Sequence, residues 1–227
     1  MKKLGVFVFA AALIIGLLFA GGCGLVGTNN FGSSGVRGSG TMKSEPRSVS
    51  GFSKVDAGGA LNIELVAQKN FSIVIEADDN LLQNIKTEVS GDTLKIYTEG
   101  KISMQNKASV KISMPELESL IVSGASTASV SNVKNNGIDL NASGASMITI
   151  DGEAEDLTAV ASGASGIDAE MLKVEYASVE ASGASSATVS AATDLKAEAS
   201  GASSIYYTGD PKNVVPKSSG ASTVKKK

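Results

Sequence analysis

Ser123-Gly124-Ala125-Ser126 is the first of six identical tetrapeptides; the others begin at Ser143, Ser162, Ser182, Ser200 and Ser219. Successive copies lie 20, 19, 20, 18 and 19 residues apart. A fixed period near twenty is the mark of a solenoid, in which each repeat buries its apolar side only by stacking on its neighbours.

Counting outward from each Gly in steps of two separates inside from outside. Two residues before Gly stand Val122, Ala142, Ala161, Ala181, Ala199 and Ser218; four before stand Leu120, Leu140, Ala159, Val179, Ala197 and Pro216. Four after stand Ala128, Ile148, Ile167, Ala187, Ile205 and Val224. An apolar period of two belongs to a strand, and a Gly with two Ser every twenty residues breaks a helix. The expected fold is all-β, a right-handed parallel β-helix of about 19 to 20 residues per rung and six to nine rungs, with an N-terminal β-rich cap.

The same parity places the six motif glycines (Gly124, Gly144, Gly163, Gly183, Gly201 and Gly220) and the second Ser of each copy on the inward face. Ladders of the first Ser and of Ala are then expected on a flat outer surface. Hydroxyls in the inward Ser column need partners, since an unpaired buried hydroxyl costs about 1 to 3 kcal/mol.

Residues 1–22 read as a signal peptide, with Lys2 and Lys3 ahead of the apolar run Leu4 to Ala20. Small residues before Cys23 resemble a bacterial lipobox, which implies a lipid on Cys23 and a membrane anchor through it. Cys23 is the only cysteine, so no disulfide competes for it. An uncleaved transmembrane anchor is the alternative reading. After cleavage 18 basic residues face 23 acidic ones, a net charge of −5 that argues against nucleic acid as partner. Residues 23–48, rich in Gly and Ser, read as a flexible tether.

Residues 49–115 read as the β cap and first rungs, and residues 116–227 as the repeat rungs. Thr87 to Tyr97 has the pattern of a hairpin around Ser90-Gly91-Asp92, Asp79 to Ile85 that of one short helical turn, and Gly58-Gly59-Ala60 that of a degenerate motif copy. The order Arg47, Val49, Phe52, Val55, Gly59, Leu61, Ile63, Asn80-Leu81-Leu82, Gly91, Leu94 and Ile96, followed by the repeats, resembles the auto-transporter adhesin head GIN domain family. The resemblance implies a β-helix-like fold and offers no catalytic residues.

Chemistry has few materials. With no His and one Cys, a Ser/His/Asp triad, a His-ligated zinc site and a thiolate cluster are all impossible. No metal or cofactor is expected. What remains is an outward column three residues before Gly, in which Glu180 and Glu198 should lie on adjacent rungs with Lys217 next. Two carboxylates about 5 Å apart is the spacing of a retaining glycosidase; a neighbouring Lys is what a solvated ladder uses to offset repulsion.

Two function classes follow. The first is a non-enzymatic binding, adhesion or structural module, lipid-anchored in the bacterial cell envelope, with the outer membrane expected and its side open. Its partners would be an envelope polysaccharide or protein, or further copies through a lateral face or the helix edge. There, Lys225-Lys226-Lys227 reads as a guard against edge pairing. The second is a polysaccharide-active enzyme, a lyase or glycosidase, which a deep groove lined by charged side chains would favour.

Overall fold

The computed structural model describes residues 35–227; the stretch read as a signal peptide and Cys23 lie outside the described residues. In chain order the strands are β1 (Val36–Arg37), β2 (Met42–Arg47), β3 (Lys54–Ala57), β4 (Leu61–Val66), β5 (Ser72–Asp78), β6 (Ile85–Ser90), β7 (Thr93–Thr98), β8 (Ile102–Ser103), β9 (Ala108–Ser113), β10 (Ser119–Val122), β11 (Thr127–Ala142), β12 (Met147–Ala161), β13 (Gly166–Ala181), β14 (Ser186–Ala199), β15 (Ser204–Thr208), β16 (Asn213–Ser218) and β17 (Thr223–Lys226). One 3-10 turn, Leu82–Asn84, interrupts them where the short helical turn was expected.

These strands form a β-solenoid of about five turns. This is fewer than the six to nine rungs read from the period. From β10 through β17 every neighbour is parallel, and equal motif positions stand over one another: Val122 over Ala142, Ala142 over Ala161, Ala161 over Ala181, Ala181 over Ala199. The inward columns are buried as the parity requires, with Leu120, Leu140, Ala159, Val179 and Ala197 each at most 1% exposed. In the last rung the pattern lapses, since Pro216 and Ser218 are exposed.

The tetrapeptides are corners, and this corrects the inward glycine column. All six motif glycines are exposed and have φ between +73° and +79°, a left-handed conformation that only Gly adopts cheaply. Side-chain alternation holds for extended chain, so it restarts beyond the bend, where Ser126 points inward. The Ser and Ala ladders therefore run down an edge of the solenoid and not across a flat face. Corner stacks on corner at very short range: the Ala145 N–H donates to the Gly124 carbonyl at 2.7 Å and the Ala164 N–H to that of Gly144 at 2.8 Å. A Cβ on Gly144 would stand 2.7 Å from the Gly124 oxygen. Gly58-Gly59 is the corner beneath, accepting from the Ala125 N–H at 2.8 Å.

Each inward Ser hydroxyl reaches a backbone group of the rung below. Ser146 Oγ lies 3.0 Å from the Val122 carbonyl, Ser165 Oγ 2.9 Å from Ala142, Ser185 Oγ 3.0 Å from Ala161 and Ser203 Oγ 2.9 Å from Ala181. Ser126, the first, accepts from the Leu61 N–H at 3.2 Å. The buried column is satisfied, and each hydroxyl ties two turns together.

Below β10 the chain leaves sequence order. β3 and β4 form the rung under β10 and β11, yet β7 and β9, later in the chain, lie under β3 and β4. Antiparallel strands then cover this end, β6 on β7 and β5 on β9, with β2 outside β5. The β6–β7 pair is the hairpin read around Gly91. Residues 36–47, read as part of the tether, are β1 and β2 of this cap. The sequence hides β2 because it is an exposed edge strand carrying Pro46, whose place is set by its partner and not by an apolar face of its own.

Asp78, 1% exposed, pins the cap. Its carboxylate accepts from the Gln105 N–H at 2.9 Å, the Gly40 N–H at 3.1 Å and Asn106 Nδ2 at 3.1 Å. These donors, Gln105 foremost, hold its pKa below the ordinary carboxylate value against the opposing effect of burial.

Three outcomes are expected. Gly91 has φ +64° and nothing within 4 Å of an added Cβ, so Gly91→Ala should cost about 1 to 2 kcal/mol from conformation alone. Gly144→Ala meets the same conformation plus backbone contact and should cost at least about 3 kcal/mol, read as a larger drop in Tm. Because Asp78 is held below its unfolded pKa of about 3.9, its contribution is full above that pH and is lost as pH falls through the lower folded value. Asp78→Asn should lower the Tm at pH 7 and flatten the acid limb below about pH 4; an unchanged limb would refute the assignment.

Candidate functional site

The structure brings the predicted carboxylate column together. Glu180 lies opposite Glu198 on the neighbouring rung, and Glu198 opposite Lys217. The three help line a recess of about 360 Å³. Lys217 Nζ and Lys196 Nζ each stand 3.0 Å from the same Glu198 oxygen. Lys217 first and Lys196 second hold the Glu198 carboxyl below its usual value. A glycosidase acid must carry a proton near neutral pH, so this shift runs against Glu198 as that acid. The two lysines at Glu198 offset its repulsion with Glu180.

A larger feature lies on another side of the solenoid. The groove there has a volume of about 970 Å³, and its lining includes Lys134, Glu153, Glu155, Lys173, Glu175 and Asp210. Along it run three columns. Lys134 stands over Glu153 and Glu153 over Lys173, an alternation of sign. Asn135, Ala154, Val174 and Ala191 follow one another beside it. The pairs Ala154 with Val174 and Asp156 with Tyr176 put Glu155 opposite Glu175 in the third.

This groove has a structural cause that the motif count overlooks. Between the tetrapeptide and the strands flanking it, rungs superpose without slippage; every register shift falls on the far side, between Val130 and Val133, Thr149 and Asp151, Ala169 and Lys173, and Val174 and Tyr176. The changing intervals of 18 to 20 residues are absorbed there. In β13 the surplus is Glu170-Met171-Leu172, which has no partners in β14 and leaves Met171 72% exposed. The irregular intervals are the sequence signal for this side, and columns counted outward from the repeated Gly do not show it.

The terminal lysines are not a free cationic patch. Lys226 pairs with Asp210 at 2.9 Å and Lys227 contacts Glu170, so two of the three charges expected to guard the edge are answered within the chain. No group of three or more His, Cys, Asp or Glu able to hold a metal occurs among the described residues. No helix among them is long and apolar enough to cross a membrane.

A family model described as "Putative auto-transporter adhesin, head GIN domain" matches residues 51–211. No curated protein matches the chain. The crystal structure of a "putative adhesin" from Bacteroides fragilis superposes with a TM-score of 0.72 at 21% identity, covering 85% of this chain and 100% of that one. A "putative adhesin" from Parabacteroides merdae gives 0.56 at 18% identity over 85% and 98%. A "putative lipid binding protein" from Parabacteroides distasonis gives 0.52 at 19% identity over 85% and 99%. At these identities the likeness shows the fold.

Glu198 offers a direct check of the site electrostatics. An NMR titration of its side chain should give a midpoint below the ordinary Glu value of about 4.3, and Lys217→Ala should move that midpoint upward. A wild-type midpoint at or above the ordinary value would show that the two lysines do not hold it.

Proposed function

This chain belongs to the auto-transporter adhesin head GIN domain family, and from that premise we propose that it is a non-enzymatic binding module of the bacterial cell envelope, anchored by a lipid on Cys23. The observation that carries the reading is the groove of about 970 Å³ made from stacked columns. A catalytic centre gathers different groups on one point; here like positions repeat rung after rung, which suits an extended polymer such as an envelope polysaccharide or protein. The adhesin names of the Bacteroides fragilis and Parabacteroides merdae proteins point the same way. Cys23 as the sole cysteine behind an apolar run and small residues supports the anchor.

One observation favours a second reading. Glu155 and Glu175 face each other across adjacent rungs inside the groove, about 5 Å apart by strand spacing, as two carboxylates would in a polysaccharide-cleaving enzyme. Incubation with a panel of envelope polysaccharides separates the two. Retention of full-length polymer is expected; shortened product that disappears in Glu155→Gln would establish the enzyme. For the anchor, the chain should partition with membranes and carry a diacylglycerol mass on Cys23, and Cys23→Ser should release it.

A further inference from the structure

The walls of the groove are not electrically balanced. Elsewhere on the solenoid several carboxylates are answered by lysines of the same chain, Glu198 by Lys196 and Lys217, Asp92 by Lys54, Glu170 by Lys227. Inside the groove Lys173 answers Glu153 at 3.8 Å and Lys226 answers Asp210. Glu155 and Glu175 have no such partner among the described residues. Glu175 accepts only the Thr193 hydroxyl, at 2.7 Å, and Glu116 adds a further carboxylate to the lining. Like charges opposite one another on adjacent strands destabilise the fold, so a cation from outside would gain what the chain leaves unmet.

Resting on the reading of the groove as a polymer site, we propose that its occupant is a basic, extended polypeptide segment. The dimensions suit one. Asn135, Ala154, Val174 and Ala191 stack in order, with Gly209 packed against Ala191 beyond them. Four steps of about 4.8 Å make a trough about 19 Å long, the span of about six residues of extended chain. The side chains of this column turn into the core, Val174 4% and Ala191 1% exposed, so the floor between the charged walls is backbone, over which the aliphatic stems of Lys or Arg can lie. Alternate side chains of the segment then reach Glu155 and Glu175 on one wall, while on the other Lys173 is already paired with Glu153, so that among the described lining residues the unpaired carboxylates Glu116, Glu155 and Glu175 outnumber the one unpaired lysine, Lys134, and favour a basic occupant.

The test is fluorescence anisotropy on the full-length chain with a labelled eight-residue peptide alternating Lys and Ala, its Glu-Ala counterpart, and spermine as competitor. The Lys peptide should bind, and binding should weaken as salt rises. The double variant Glu155→Gln/Glu175→Gln should bind roughly tenfold more weakly, whereas Glu64→Gln, outside the groove lining, should not change it. Unchanged circular dichroism would show that the double variant is folded. Equal binding of the Glu peptide, indifference to the double substitution, or spermine as tight as the peptide would each overturn the proposal. If a neutral or anionic polymer is retained and released by substitutions in the groove, the polymer site survives and only its occupant is wrong; if no polymer of any charge is retained, both fall.

Discussion

The close stacking of left-handed corners governs this molecule. Each motif glycine sits at a φ near +75°, and the carbonyls of the first five, Gly124 to Gly201, are taken by the next rung's amide at 2.7 to 2.8 Å. Neither part tolerates a side chain, the first because L-residues avoid that conformation and the second because a Cβ would enter the carbonyl below. The corner is thereby fixed in position and in height. The inward Ser two residues later bonds to the preceding rung, so that height is enforced from inside as well.

With the corner fixed, variation has one place to go. The strands on either side of the tetrapeptide keep register through the stack, and differences in rung length emerge on the far side, where partners are skipped and Met171 is thrown outward. The same event builds a regular surface near the corner and an irregular groove opposite it. A rigid repeating scaffold that concentrates its irregularity in one place keeps its framework invariant while the recognition surface changes, as loops do on other folds.

The ends of such a stack are its exposed edges. At one end the chain solves this by threading later strands beneath earlier ones and laying antiparallel strands across them. Asp78 fastens the arrangement by collecting donors from Gly40, Gln105 and Asn106, segments distant in sequence. Its burial is tolerable because those donors replace water.

Read alone, the amino-acid sequence settled the period, the inward columns and the parallel stack, because each follows from a local alternation and a repeat spacing that stacking only superposes. Leu120, Leu140 and Ala159 needed no structure to be placed in the core. It also located Glu180, Glu198 and Lys217 in one column, though the pairing of Glu198 with Lys196 from the next column was beyond it. Only the tertiary structure decided that the glycines turn outward, since alternation cannot announce its own interruption. Only it showed β2 as part of the cap, a strand that owes its place to β5 some thirty residues on. The groove belongs to the same class: Lys134, Glu153 and Lys173 become neighbours through register shifts that depend on how three rungs settle together, which no single stretch of chain encodes.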